Sequence, residues 1–254
     1  MSRALVSCIC LTTWPKRAAM LRESLRAYAL QHYEHRRLFV INDGEPLRSL
    51  AADVTVTNVP KGLTLGEKRN VGLSLAGESW AATWDDDDFA LPETLLYLMN
   101  TAYRGNYDYV HSNLYALANS DMKIGCIVRR WAMMSCVFWA PTARRVGGYP
   151  AINIAEDVSL HNRLTRAAAH GMNDRLTYVY RRHTKNITVG NPWGNRTDQR
   201  LADCIEDQRR WPEPKVQELQ RYLDHCRSIQ TPDLVEPTEG KRHVLPSHAS
   251  GHSL

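Results

Sequence analysis

The sequence predicts an α/β protein with a mostly parallel central sheet, flanked by helices and followed by a C-terminal helical extension. Short apolar stretches rich in β-branched residues alternate with helical patterns through the first hundred residues, and such alternation is typical of a doubly wound sheet. The chain has 254 residues, which is enough for one large α/β domain or two small ones. Its apolar content of 43% and charged content of 23% are ordinary for a globular protein.

The first half is expected to follow the order β-α-β-β-α-β and then a helix. Residues 4–11, ALVSCICL, are apolar and β-branched, which predicts a buried first strand on which Cys8 and Cys10 share one face. Residues 16–33 carry apolar side chains at helical spacing. The other elements predicted here are strands at 37–41, 53–59 and 78–84 and a helix within 61–76.

The second half is expected to contain strands, one further helix and a helical extension. The predicted elements are strands at 107–117 and 123–128, an apolar core stretch at 131–140, a helix ending near Gly171 and a last strand at 176–182. A helical extension follows at about 191–230. The polar segment at 231–254 is expected to be a disordered tail.

The most unusual stretch is a run of four aspartates at residues 85–88, within WAATWDDDDFAL. The aspartates follow a predicted strand, and ligands bind at strand ends in open α/β sheets. Adjacent carboxylates repel one another unless a cation neutralises them, and hard oxygen ligands suit Mg²⁺ or Mn²⁺. A solvated acidic loop is the alternative interpretation of a charge run. The position at a strand end favours a metal–phosphate site.

Charged side chains at helix starts form a second group of candidates. Lys61, Lys68 and Arg69 cluster near one predicted helix start, where an anion could bind, although a plain surface helix start is the simpler interpretation. Glu156 and Asp157 precede another helix and are either a cap that favours the helix dipole or catalytic carboxylates.

Composition limits the classes of partner and compartment. The net charge is +5, and the stretch from 129 to 210 holds 14 basic against 7 acidic residues, which suits phosphate-bearing donors or an anionic acceptor. Six cysteines show no CxxC pair. Together with the lack of a recognisable signal peptide, this predicts a reducing, cytoplasmic location. No apolar run approaches the roughly 20 residues of a membrane-spanning helix.

Several segments, taken together and in order, resemble the GT-A-fold glycosyltransferases, particularly the large family two of mostly inverting enzymes. The resemblance spans residues 4 to 188. The matching segments are VSCICLTTWPKR, ALQHYEHRRLFVINDGEP, GEKRNVGLSLAGESWAATWDDDDFALPETL, VGGYPAINIAEDVSLHNRL and YRRHTKNIT. The third segment carries an Arg-Asn-x-Gly helix start and the Asp-x-Asp-Asp metal motif. The second departs from the family pattern, because Asn42 replaces an acid and Glu45 a serine.

The resemblance implies a GT-A, Rossmann-like domain at 1–190, with a nucleotide-sugar half at about 1–100 and an acceptor half at 101–190. It also implies Mn²⁺ or Mg²⁺ as cofactor. The implied metal-binding residues are Asp85, Asp87, Asp88 and His183, with Asp87 in direct contact. The implied nucleotide-sugar-binding residues are Thr12, Thr13, Asn42, Asp43, Lys61, Arg69, Asp85 and Asp86.

The implied reaction is a single displacement that inverts the anomeric carbon. A divalent ion would neutralise the charge that develops on the leaving diphosphate. One base would take the proton of the acceptor hydroxyl. By resemblance this base is Asp157, with Glu156 beside it. The expected enzyme is therefore a metal-dependent hexosyltransferase that uses a nucleotide-sugar, with UDP the expected nucleotide.

The acceptor is open at this point: a glycan, a lipid-linked sugar, a protein, a small molecule or a nucleic acid. The basic surplus makes hydroxylated bases of viral DNA one alternative acceptor. Two other functions also stay open. A nucleotidyltransferase likewise needs carboxylates and a metal, and a non-catalytic nucleic-acid-binding module could hold a cation with the same acidic cluster.

Overall fold

A computed structural model describes residues 4–182, 213–229 and 233–238. Its first half contains the strands β1 (Val6–Thr12), β2 (Arg36–Asn42), β3 (Leu47–Ser49), β4 (Val54–Asn58), β5 (Trp80–Asp85) and β6 (Phe89–Ala90). The helices of this half are α1 (Ala18–Ala29), α2 (Leu65–Ala76) and α3 (Thr94–Gly105). The predicted order of the first half is thus observed, with β3 and β6 as short additions.

The second half contains the strands β7 (Tyr109–Ala118), β8 (Ile124–Trp139), β9 (His170–Asn173), β10 (Tyr178–Arg181) and β11 (Val235–Pro237). Its helices are α4 (Ala140–Arg145), α5 (Glu156–Ala167) and α6 (Glu213–Ser228). Three predictions need correction here. The two segments predicted at 123–128 and 131–140 belong to one long strand, β8. The helix predicted to end near Gly171 ends at Ala167, because the residues from His170 form β9, which pairs with β7. Within the segment expected to be a disordered tail, β11 pairs with β3.

The central sheet has the strand order β4-β2-β1-β5-β8-β7-β10-β6 within the described ranges. The strands β4, β2, β1 and β5 are parallel, so their carboxyl ends meet at one edge. The strand β8 runs antiparallel to both β5 and β7. The prediction of a mixed α/β fold with a largely parallel sheet is confirmed, and the parallel region is the half that carries the aspartates.

Two apolar layers cover the faces of the sheet. On β1, Cys8 and Cys10 face a layer built with α1, α3 and α6, whereas Ile9 and Leu11 face a layer built with α2, α4 and α5. The alternation is that of a strand buried on both sides. Cys8 and Cys10 therefore share one face, as predicted, and serve as core residues.

The helix α2 begins with a capping box, in which the Thr64 side chain and the Glu67 side chain bond to each other's backbone N–H. Gly66 follows in the first turn, and a Cβ there would lie 1.7 Å from the carbonyl oxygen of Pro150. Only glycine permits so close an approach. The capped, glycine-containing start of α2 thereby brings the loop that precedes α5 next to the parallel half of the sheet.

Candidate active site

A cavity of about 230 Å³ opens where β1 and β5 end. The register of the parallel strands places Leu11 beside Asp85 and Thr12 beside Asn42, so the residues that follow each strand converge. Of the residues predicted from sequence, the cavity wall includes Thr12, Thr13, Arg69, Asp85, Asp86, Asp87 and Asp88. The cavity thus lies at the strand edge where the sequence predicts a ligand.

The four aspartates have different partners. Asp88 is buried, and its carboxylate accepts hydrogen bonds from the Tyr178 hydroxyl at 2.9 Å and from the Arg181 backbone N–H at 2.7 Å. Burial, together with the charges of Asp87 and Asp85, raises the pKa of Asp88 well above its usual range. Asp88 therefore connects β10 to the aspartate loop and supports that loop.

Asp86 and Asp87 share one cationic partner, Arg17. Its Nε donates to both carboxylate oxygens of Asp86 at 2.8 Å, while Nη2 lies 2.7 Å from Asp86 Oδ1 and 2.5 Å from Asp87 Oδ2. Burial and the charge of Asp87 raise the pKa of Asp86 to about 6, although Arg17 opposes the shift. Arg17 comes from the turn before α1, so this pairing joins segments 69 residues apart.

Asp85 is paired with Arg69, which also holds Glu156. The Arg69 Nη2 donates to Asp85 Oδ1 at 3.1 Å, and its Nε donates to Glu156 Oε1 at 3.0 Å. Arg69 is buried in α2, and its guanidinium lies over the Tyr149 ring at 5.8 Å. Burial and the charges of Asp87 and Asp157 raise the pKa of Asp85, while Arg69 lowers it. One guanidinium therefore connects the aspartate run to the start of α5.

Asp43 lies at the end of β2 beside a second cation. Its carboxylate accepts hydrogen bonds from the Thr13 hydroxyl at 2.6 Å and from Lys68 Nζ at 2.8 Å. Burial opposes the shift, but these hydrogen bonds lower the pKa of Asp43 overall. Lys68 lines the cavity, so Asp43 holds a cation of α2 at the cavity wall.

Asp157 lies in the first turn of α5, and its Oδ1 accepts a hydrogen bond from the Val158 N–H at 2.7 Å. It does not line the large cavity; it lines a small cavity of about 10 Å³ together with Tyr109 and His161. The side chain of Asn70 holds the loop before α5 by bonding to the backbone N–H and carbonyl of Tyr149. The start of α5 is therefore fixed from α2.

Three predicted nucleotide contacts, Asn42, Asp43 and Lys61, are not part of the cavity wall, although Asp43 bonds to Thr13 and Lys68 of that wall. Asn42 is fully buried; its Oδ1 accepts from the N–H groups of Trp14 and Gly44, and its Nδ2 donates to Asn58 and to the Glu45 carbonyl. All four hydrogen bonds of the amide stay within the protein, so Asn42 is a structural residue. Lys61 is exposed on the turn before α2 and is not part of the cavity wall. His183 lies outside the described residues.

The donor set of the cavity fits a divalent ion that brings phosphates with it. Among the described residues, no three histidine, cysteine, aspartate or glutamate side chains are arranged to hold a metal ion. Asp85 and Asp87 nevertheless both line the cavity. Magnesium is usually held in this way, by one or two carboxylates, water and the phosphates of the substrate. These two carboxylates are therefore the residues suited to Mg²⁺ or Mn²⁺.

Sequence reasoning missed three residues of this site: Arg17, Asn70 and Tyr180. Arg17 and Tyr180 line the cavity, and Asn70 fixes the loop before α5. Arg17 sits within VSCICLTTWPKR and Asn70 directly after Arg69, so both belong to segments that carry the resemblance. No periodicity identifies Tyr180, which alternates with core residues on β10.

Comparison with known proteins agrees with this geometry. Residues 8–123, which run from β1 to just before β8, match the model of glycosyl transferase family 2. The resemblance to the GT-A-fold glycosyltransferases is confirmed. The match includes the aspartate run, Arg17 and Arg69, whereas α5 with Asp157 lies beyond it. A search of curated proteins finds no match.

Solved GT-A structures share the fold at low sequence identity. S. aureus TarS 1–349 in complex with UDP-GlcNAc is 13% identical, with a TM-score of 0.57 over 87% of this chain and 72% of that one. The mannosyltransferase PcManGT from Pyrobaculum calidifontis, in complex with GDP-Man and Mn²⁺, is 14% identical, with a TM-score of 0.55 over 89% of this chain and 70% of that one. Family match and fold together support glycosyl transfer as the chemistry of this site.

None of the helices in residues 4–182 and 213–229 is both long and apolar enough to cross a membrane.

Proposed function

We propose that this protein is a metal-dependent, inverting glycosyltransferase that moves a hexosyl group from a nucleotide-sugar, with UDP as the nucleotide, to an acceptor hydroxyl. The observation that carries the proposal is the double ion pair of Arg69, with Asp85 on one side and Glu156 on the other. This pairing fixes the start of α5, where Asp157 follows Glu156, against the aspartate run that lines the cavity. A leaving-group site and a base are what a single displacement requires.

The donor would occupy the cavity at the ends of β1 and β5. Asp85 and Asp87 would hold Mg²⁺ or Mn²⁺, which when bound neutralises charge on the departing diphosphate. Lys68 and Arg17 would add positive charge at the cavity wall, and Thr12 and Thr13 hydroxyl groups would meet the nucleotide. Arg69 Nη1 is buried without a hydrogen-bond partner in the described part of the chain, so this donor group can serve the bound ligand.

The acceptor would approach from the side of α5. Asp157 lies outside the wall of the large cavity, as expected for a base that faces the acceptor rather than the donor. Asp157 would take the proton of the attacking hydroxyl, and Glu156, already paired with Arg69, would position it. The Val158 N–H bond to Asp157 Oδ1 holds the carboxylate in place.

The proposal predicts a metal-dependent thermal shift with one nucleotide. The unfolding temperature would be measured with UDP, GDP and their sugar conjugates, with and without Mn²⁺. A ligand at about a hundred times its dissociation constant adds roughly 2.7 kcal/mol to the free energy of unfolding. Asp87→Asn should abolish the metal-dependent part of the shift, while the matched control Asp121→Asn, a change at an exposed aspartate, should keep it.

Product analysis separates this proposal from its alternatives. Release of a nucleoside diphosphate from the donor supports glycosyl transfer, whereas release of pyrophosphate indicates a nucleotidyltransferase. Acceptors would then be tested in separate classes: glycans, lipid-linked sugars, proteins, small molecules and DNA with hydroxylated bases. Binding of DNA without turnover of any nucleotide-sugar would overturn the proposal in favour of a non-catalytic module, and its salt dependence would report the phosphate contacts.

A further inference from the structure

Arg17 makes two contacts of different kinds with the aspartate run. Towards Asp86 it presents a fork, because Nε and Nη2 both bond to that carboxylate at 2.7–2.8 Å. Towards Asp87 it presents the single atom Nη2, at 2.5 Å from Oδ2. A fork on one carboxylate fixes the guanidinium, whereas a single additional bond can be exchanged while the fork stays in place.

Burial separates the two contacts in the same way. The side chain of Asp86 is 4% exposed, that of Asp87 14% and that of Arg17 21%. A carboxylate as buried as Asp86 needs its cation, because an unpaired buried charge is strongly unfavourable. Asp87 and the outer part of Arg17 reach solvent through the cavity that both line. The contact between Arg17 and Asp87 is therefore the one that a ligand entering the cavity can replace.

A divalent ion and Arg17 compete for the same part of Asp87. Asp87 would be one of the residues that hold the ion, and a divalent cation and a guanidinium on one carboxylate repel each other strongly in a partly buried site. The guanidinium cannot lose its charge by deprotonation. With an ion on Asp87, this repulsion would favour a position of Nη2 away from that carboxylate.

We propose that Arg17 is the resident cation of Asp87 and that it exchanges this carboxylate for the diphosphate of the donor when a divalent ion binds. The inference rests on the proposed function, since it assumes a nucleotide diphosphate in the cavity. Arg17 keeps its fork on Asp86 throughout. The released Nη2 lies at the wall of the same cavity as Lys68, where a phosphate oxygen would accept its hydrogen bond.

The exchange makes metal and nucleotide binding cooperative. Without a nucleotide, the ion must displace Arg17 from Asp87 and no anion receives the released Nη2, so metal affinity is low. With a nucleoside diphosphate present, the released N–H finds an acceptor and metal affinity rises. Because binding free energies are reciprocal, the metal raises nucleotide affinity by the same factor.

The test measures Mn²⁺ binding directly, from the loss of the electron paramagnetic resonance signal of free Mn²⁺, with no turnover involved. Titrations would use the full chain alone, with UDP and with GDP. The variant Arg17→Gln should bind Mn²⁺ roughly tenfold more tightly than the unmodified protein in the absence of nucleotide, and should lose most of the nucleotide enhancement. The matched control is Arg22→Gln, since Arg22 is half-exposed, pairs with Asp233 and does not line the cavity.

A second variant separates this effect from damage to the buried carboxylate. Arg17→Gln leaves Asp86 without its cation, so the double variant Arg17→Gln, Asp86→Asn removes both charges and still releases Asp87. It should show the same tighter Mn²⁺ binding without nucleotide. Circular dichroism and thermal unfolding would confirm that each variant is folded before its titration is compared.

The outcomes distinguish the inference from the function on which it rests. If neither variant binds Mn²⁺ more tightly than the unmodified protein, while nucleotide still enhances binding, Arg17 only positions Asp86 and the inference is overturned with the function intact. If the variants bind Mn²⁺ more tightly but nucleotide still enhances their Mn²⁺ binding fully, Nη2 of Arg17 does not bond to the diphosphate, and the inference is overturned. If Mn²⁺ binds none of the proteins, with or without UDP or GDP, both the inference and the metal-dependent function are overturned.

Discussion

The proposed donor edge and the proposed acceptor side of this molecule are built on different physical principles. The donor edge, at the ends of β1, β2 and β5, is a set of carboxylates in which Asp43, Asp85 and Asp86 each have a cation from α2 or from the turn before α1. The acceptor side, around the start of α5, is built from aromatic rings. There the Tyr109 hydroxyl bonds to His161 at 2.6 Å, and the rings of His111 and His161 lie 5.2 Å apart.

The difference shows how one fold keeps two kinds of chemistry apart. The donor edge holds three cations, Arg17, Lys68 and Arg69, among its carboxylates before any ligand arrives, and these are the partners with which a metal ion and a diphosphate would exchange. The acceptor side offers a small cavity and one carboxylate, that of Asp157. Burial lowers the pKa of His111 and of His161, which disfavours their charged forms. Arg69 joins the two regions. The following predictions test whether the regions are as separate in function as they are in structure.

The largest expected effect comes from Asp157→Asn, which removes the proposed base and leaves the donor edge unchanged. We expect kcat to fall by roughly 10²- to 10⁴-fold, the usual contribution of a positioned general base. The Mn²⁺-dependent thermal shift with nucleotide should be retained, because Asp157 does not line the donor cavity. Steady-state kinetics and thermal unfolding measure the two effects, with Asp121→Asn as control. Full turnover in Asp157→Asn would refute the assignment of the base.

The second effect comes from Arg69→Met, which removes the side chain that both regions share. Asp85 and the buried Glu156 would lose their cation, and breaking a buried pair in this way costs about 3–5 kcal/mol in the free energy of unfolding. Urea unfolding measures the loss. The double variant Arg69→Met, Glu156→Gln should recover part of it, because one of the two unpaired charges is then absent. A loss below about 1 kcal/mol would mean that the two regions do not depend on Arg69.

The donor edge was largely predictable from sequence because it is encoded by adjacent residues. The aspartate run follows an apolar strand directly, and in a parallel sheet the residues after β1 and β5 must converge. Arg69 was found for the same reason, since it lies in a recognisable helix start. Arg17 was not, because its pairing with Asp86 spans 69 residues, and no local pattern specifies which side chain reaches a distant carboxylate.

The acceptor side was less predictable because its geometry depends on tertiary contacts. The sequence identifies Glu156 and Asp157 as a pair but cannot tell which of them faces Arg69; packing against α2 decides that Glu156 does. The prediction of two segments in place of β8 fails for a similar reason. Pairing with β7 carries the strand through Arg129, although polar residues there interrupt the apolar pattern. Asn42 resembles a ligand residue in sequence, yet its amide is satisfied by the surrounding backbone and the Asn58 side chain.

The smallest predicted effect concerns the pH dependence of the acceptor side. Burial and the nearby His111 and His170 lower the pKa of His161 to about 4, while Asp157 opposes the shift. The folded state therefore binds fewer protons than the unfolded state between about pH 6.5 and pH 4, and His161 reduces stability as the pH falls through that window.

His161→Gln keeps a hydrogen-bond partner for Tyr109 but does not titrate. Since His161 is only partly buried and solvent screens its charge, we expect a difference of about 1 kcal/mol at pH 5, or roughly 2–4 °C in Tm. Thermal unfolding at pH 7 and pH 5 measures it. The unmodified protein and His161→Gln share the carboxylates of the donor edge, so the effect of these groups on Tm cancels when the two proteins are compared. An equal loss of Tm between pH 7 and pH 5 in both proteins would show that His161 is not the group responsible.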